Sequence, residues 1–180
     1  MEAQARATDQ ILSAAVRIFG ERDPQLVTIE DVAKAAGLSK GLIVYHFGSF
    51  ESLQNVLRDY LVFRLRQIWT PESPAPPKDQ LRQWASIMQA EPEIFRLYLN
   101  LSIRSGKSAV SSFEALEAFR RDLLQECCNY FHQAGATSPG QSASLFCDWW
   151  EGASLRSLAL EEREQGLIEQ GTHFLELLLR

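Results

Sequence analysis

No stretch of this 180-residue sequence is apolar for long enough to span a bilayer, and its opening residues, MEAQARATDQ, have no apolar core of the kind a secretory leader needs. Cysteine is scarce. Cys127, Cys128 and Cys147 are an odd number without framework spacing, which excludes a disulfide-stapled scaffold and suits a reducing cytoplasm. Positive charge is not in excess either: the formal net charge is −5, so any contact with nucleic acid must come from a local arrangement of charge. Strand-like alternation, internal repeats and a Gly-rich phosphate loop are missing, and no nucleophile–base pairing is recognisable, so catalysis has no support. With 46% hydrophobic and 23% charged residues the composition is that of a folded globular chain. The expectation is a soluble cytoplasmic protein with no membrane partner that is not an enzyme.

What is present is helical periodicity, and the fold class expected is all-α. Ile11, Ala15, Ile18 and Phe19 recur at helical spacing in a first segment that the Asp23-Pro24 pair should end. Thr28 reads as an N-cap, with Asp31 as the acidic half of a capping box and an apolar side of Ile29, Val32, Ala33 and Ala36 behind it. Gly37 supplies a sharp turn, because a positive φ is cheap only for glycine. Ser39 caps a third short helix ending near Phe47, and a longer connecting helix covers 49–69. Then comes TPESPAPP at 70–77, in which four of eight residues are proline: a stiff linker. Beyond it the periodicity predicts helices over 78–89, 92–104, 110–134, 139–161 and 163–179.

Two short helices around Gly37 form a helix-turn-helix pattern, whose second helix enters the DNA major groove. With Ile11, Phe19, Ile29, Val32 and Ala36 buried together, the outer side of 39–46 is left to present Ser39, Lys40, Gly41, Leu42, Tyr45 and His46. Lys40 and Tyr45 can reach phosphate oxygens, Gly41 allows close backbone approach, and the N-terminus at Thr28 can point N–H groups and a hydroxyl at a phosphate. A plain three-helix core with no partner is the competing reading of the same residues.

The run TIEDVAKAAGLSKGLIVYHFGSFESL resembles the DNA-binding domain of the TetR family of transcriptional regulators over roughly residues 8–60. The resemblance implies a homodimer that binds double-stranded DNA at a palindromic operator. It implies a helix-turn-helix domain at 1–47 and, at 48–180, a larger helical domain that binds a small-molecule effector and dimerises. Regulation by repression, with the effector releasing the operator, is the expected mode. The chain departs from the pattern at Leu42, where a small polar residue is usual, at Val44, where an aromatic is usual, and at Phe50, where the family has a phosphate-binding lysine. Residues 1–66 hold eight Lys and Arg against eight Asp and Glu, so this part is formally neutral and its non-specific affinity for DNA should be low. A ligand-binding or interaction protein that has lost useful DNA affinity is the alternative. With Ser49 as N-cap, Phe50 falls in the first turn of its helix and is expected to face solvent.

The second part of the chain is rich in aromatics. Trp84, Phe95, Tyr98, Phe113, Tyr130, Phe146 and Trp149, with Arg104, are candidates to line a cavity for an apolar or amphipathic effector; each aromatic has core packing as its simpler role. Arg96, Asn100 and Asn129 are further polar anchors. In 163–179, Leu167, Gly171, Phe174 and Leu178 form one apolar stripe and Ile168, Leu175 and Leu179 another, so the helix must be covered on more than one side. With the small residues Ala143, Gly152, Ala153 and Ser157 before it, this predicts a homodimer through 139–161 and 163–179, against burial within one subunit. Cys127, Cys128 and His132 could meet on one helical side, but without a fourth ligand they are a weak zinc signal; no metal or cofactor is expected.

Overall fold

In the computed structural model the apolar spacings become helices, and no strand occurs among the described residues, which are 2–69, 77–104, 114–160 and 164–179. The order is α1 (Glu2–Glu21), α2 (Ile29–Ala36), α3 (Lys40–Phe47), α4 (Phe50–Trp69), α5 (Pro77–Ala90), α6 (Pro92–Arg104), α7 (Glu114–Gln133), α8 (Pro139–Leu160) and α9 (Glu164–Leu178). Of the proline-rich linker expected at 70–77, residues 70–76 lie outside the described residues. Pro77 opens α5, where a missing N–H leaves no helical bond unmade. No described helix is long and apolar enough to cross a membrane.

The residues gather into two compact units, Met1–Arg64 with Glu93–Ala115, and Leu65–Pro92 with Leu116–Arg180. In the first, Ile11 and Ala15 of α1, Val32 of α2, Ile43 of α3, Leu53 of α4 and Leu97 of α6 are fully buried. In the second, Leu81 and Ala85 of α5, Phe131 of α7, Ala143 of α8 and Leu167 of α9 take that role. There α9 packs on α5 and α8. Close approach depends on Gly171: a Cβ at that position would lie 2.8 Å from Trp149 Cη2 and 3.0 Å from Leu81 Cδ1.

Local chemistry sets the ends of α2 and α3. Thr28 holds extended backbone, and its Oγ1 accepts from the Asp31 N–H at 3.2 Å. In return the Asp31 carboxylate accepts from the Thr28 N–H at 2.9 Å and from its hydroxyl at 2.6 Å. Two N–H groups that the helix start leaves without partners are thereby satisfied. Gly37 then takes the left-handed conformation (φ 66°, ψ 28°), its N–H reaching the Lys34 carbonyl while that of Leu38 reaches Ala33. Two residues on, the Ser39 hydroxyl oxygen accepts from the Leu42 N–H at 3.2 Å and starts α3.

The capping box carries a pH signature. Hydrogen bonds from the Thr28 side chain, then from its backbone, hold the Asp31 carboxyl below the ordinary aspartate value of 3.8, with Arg22 adding to the effect. A carboxylate with a lowered pKa in the folded state contributes its full stability above the unfolded value and loses it as pH falls through the folded one. Thr28→Ala should therefore destabilise the protein by about 1 kcal/mol near neutral pH. The difference from wild type should shrink as the pH is taken below 3.8. Urea denaturation at both pH values checks this; a difference that does not change with pH would remove Asp31 from the cap.

Candidate nucleic-acid interface

Only Ile43 of α3 is buried, and it is buried completely. Every other side chain of the helix is at least partly open. Lys40, Gly41, Val44 and Tyr45 are exposed, Val44 at 41% and Tyr45 at 73%, and at helical spacing these four share one face. The structure thus brings together three of the expected DNA-contact residues, Lys40, Gly41 and Tyr45, and adds Val44, a departure from the family pattern. A Cβ at Gly41 would meet nothing nearer than the Ser39 hydroxyl at 3.9 Å, so nothing inside the fold requires a glycine there.

Leu42 and His46 sit at the edge of this face, half-buried. His46 Nδ1 lies 3.3 Å from the Thr8 hydroxyl of α1, and its ring meets Tyr45 edge-on at 5.3 Å. The Oγ atoms of Thr28 and Ser39 are engaged in their caps, as set out above.

Side chains of α1 hold the pair of short helices in place. Gln10 Nε2 donates to the Ala36 carbonyl at 2.8 Å and an Arg17 guanidinium N–H to Ala35 at 3.3 Å, meeting carbonyls that the end of α2 leaves over. The end of α1 is tied in turn by Asn100, whose amide donates to the carbonyls of Phe19 at 2.8 Å and Arg22 at 2.6 Å. Asn100, expected as a ligand anchor, has its amide committed to the helix end. Phe50 also departs from expectation. It is half-buried, its ring 6.2 Å from that of the buried Phe19, because packing against α1 outweighs the exposure typical of a first turn.

The charges near α3 are paired. Lys40 Nζ contacts the Glu30 carboxylate of α2 at 2.6 Å, and Arg22 contacts Asp31 at 3.1 Å. The hydrogen bond from Lys40 is the main cause holding the Glu30 carboxyl below its ordinary value. Both partners of the Lys40–Glu30 pair are more than half exposed, so the pair is weak and salt-screened.

Among the expected effector residues, Trp84, Phe146 and Trp149 come together. Trp84 stands 6.5 Å from Phe146 and 5.2 Å from Trp150, and Phe146 stacks on Trp149 at 6.0 Å. Trp149 in turn meets Phe174 at 5.5 Å, and Phe131 joins through Phe146 at 6.1 Å. Tyr130, half-buried beside Phe131, has its phenol pKa raised by burial. Phe95 and Tyr98 are buried in the first unit and do not belong to this ring cluster. Phe113 and the Arg104 side chain lie outside the described residues, Asn129 accepts from Gln125 at 2.9 Å, and Arg96 is half-buried. No group of three or more His, Cys, Asp or Glu among the described residues is placed to hold a metal.

A family model for bacterial regulatory proteins of the tetR family matches residues 11–55, the segment from α1 into α4. The HTH-type transcriptional repressor Rv3405c of Mycobacterium tuberculosis is 35% identical over 65 residues, which are 36% of this chain and 35% of that one. The HTH-type transcriptional repressor KstR2 of Mycolicibacterium smegmatis is 36% identical over 58 residues, 32% of this chain and 28% of that one. The chain thus matches about a third of the length of these curated relatives. Likeness of fold extends further. A TetR-like transcriptional regulator from Rhodococcus sp. RHA1 superposes with a TM-score of 0.78 over 94% of this chain and 93% of its own, at 16% identity. Another putative TetR-family regulator from Rhodococcus sp. gives 0.76 over 97% and 100%, at 21% identity. Residues 11–55 thus match the tetR-family model, and the chain shares the fold of TetR-like transcriptional regulators along nearly its whole length.

Proposed function

We propose that the protein is a cytoplasmic, ligand-responsive regulator that binds a palindromic DNA operator as a homodimer and acts as a repressor. The observation that carries the DNA reading is the exposed face of α3, formed by Lys40, Gly41, Val44 and Tyr45, against which the described residues bring Glu30 to Lys40 and the His46 ring to Tyr45. An α-helix fits the major groove, and a glycine without a structural reason suits close approach to the sugar-phosphate backbone. Lys40 and the Tyr45 hydroxyl contact phosphates, Val44 offers an apolar contact to a thymine methyl, and the N-terminus of α2 faces a phosphate. Because Lys40 rests on Glu30, it exchanges one partner for another on binding, and affinity in the formally neutral N-terminal part is modest. That ion pair is also what favours the second reading, a protein of this fold with little DNA affinity.

The homodimer is proposed through α8 and α9. Of the small residues expected there, Ala143, Ala153 and Ser157 are buried in the chain's own packing, while Gly152 is exposed and open. Leu145 of α8 and Leu177 of α9 are exposed at 45% and 47%, which leaves apolar area for a second copy to cover. Response to an apolar or amphipathic effector is proposed on the ring cluster around Trp84, Phe146 and Trp149, which would part to admit a ligand. Binding there favours one arrangement of the dimer and so alters operator affinity.

Duplex selected from a random pool by the full chain should be palindromic. Lys40→Ala should weaken binding to all sequences and reduce the magnitude of the salt slope by about one, while Glu30→Gln should strengthen it. No enrichment above the input pool would favour the second reading, and a slope indifferent to Lys40→Ala would take that residue off the phosphates. Sedimentation at micromolar concentration should give a dimer that Leu177→Glu converts to monomer; a wild-type monomer would refute the proposed symmetry. Screening apolar compounds by thermal shift should find stabilisers whose effect is lost in Trp149→Ala, and stabilisation that survives this change would move the effector site elsewhere.

A further inference from the structure

In the second unit, Cys127 of α7 and Cys147 of α8 hold their Sγ atoms 3.8 Å apart, both as free thiols. The two are unlike in access. Cys127 is buried at 7% exposure, whereas Cys147 is half-buried and lines a cleft of about 180 Å³ with Arg120, Leu124, Ser144, Asp148 and Glu151. A small oxidant can therefore reach one sulfur of the pair while the other waits behind it. This inference is independent of the DNA reading.

We propose that Cys147 and Cys127 form a peroxide-responsive dithiol, with Cys147 the residue attacked and Cys127 the resolving thiol that closes an α7–α8 disulfide. In the first step the Cys147 thiolate attacks one oxygen of a hydroperoxide. The O–O bond breaks, the sulfur loses two electrons to the peroxide, and the leaving hydroxide or alkoxide takes up a proton, leaving a sulfenic acid on Cys147. In the second, the Cys127 sulfur attacks Cys147 Sγ, the S–O bond breaks, and water departs with the proton of the Cys127 thiol. For hydrogen peroxide the sum is two thiols and one peroxide giving one disulfide and two waters.

The surroundings suit this division of roles. The contact with the Cys127 sulfur is the main cause lowering the Cys147 pKa, and Arg120 helps, against burial and the charges of Glu151 and Asp148. The same contact, then burial, raises the Cys127 pKa. Arg120 is held on the cleft wall by Glu151 at 3.1 Å. An S–S bond is about 2.05 Å long, so the sulfurs must close from 3.8 Å, by rotation about their Cα–Cβ bonds or by movement of α7 toward α8. Oxidation in this way makes the spacing of two helices sensitive to peroxide.

The test uses the reduced full-length protein and hydrogen peroxide. After alkylation and digestion without reductant, mass spectrometry should find Cys127 joined to Cys147 and Cys128 alkylated, with the intact chain lighter by two hydrogens and restored by dithiothreitol. Cys128→Ser should give the same linkage, and Cys127→Ala should accumulate a dimedone-labelled Cys147. Should Cys127→Ala fail to fold, order of attack is read from wild type, where early dimedone label must fall on Cys147 rather than Cys127. A linkage through Cys128 or between chains, conversion of Cys147 to sulfinic acid with Cys127 intact, or thiols that survive excess peroxide would each overturn the proposal.

Discussion

Everything on the outer surface of α3 depends on Ile43, the one side chain by which that helix is buried. A helix of eight residues is far too short to persist alone in water, so its existence rests on this anchor, the Ser39 cap and the turn at Gly37. Because a single residue suffices for attachment, the remaining positions carry little obligation to the core. Lys40, Gly41, Val44 and Tyr45 are consequently available for an outside partner. A second buried position on α3 would have narrowed this face.

Rigidity of the motif comes from bonds on either side of it. The Thr28–Asp31 box starts α2, and Gln10 and Arg17 of α1 meet its last carbonyls, so α2 is tied at both ends before α3 is placed. Asn100 of α6 does the same for the end of α1. The face of α3 is thereby presented by a chain of satisfied backbone groups rather than by α3's own stability. That is a suitable basis for reading DNA, where misplacement of a contact by an ångström loses it.

What could be read in the sequence was whatever is local. Helix periods, the Thr28 and Ser39 caps and the need for a positive φ at Gly37 depend on neighbours three or four residues away, and these appear in the structure at the expected residues. What escaped notice depends on side chains meeting across long separations. Lys40 pairs with Glu30 across the turn, His46 turns to Thr8, Phe50 packs on Phe19, Asn100 caps α1 and Cys127 meets Cys147. Phe50 illustrates the limit. First-turn position argued for solvent, yet the gain from packing a phenyl ring on Phe19 exceeded that tendency, and only the approach of α1 to α4 reveals it. The aromatics split likewise: as residue types Phe95, Tyr98, Trp84 and Phe146 looked alike, but the fold puts the first two in one unit and the last two in another.

The central claim, that α3 is held by Ile43 to present its outer face to a major groove, is tested most directly by amide NMR during titration with the selected duplex. Shifts should concentrate in residues 28–31 and 39–46, with the largest on the Lys40, Gly41, Val44 and Tyr45 side of α3. Shifts confined to α7, α8 and α9, or none at a duplex concentration that saturates binding, would contradict it.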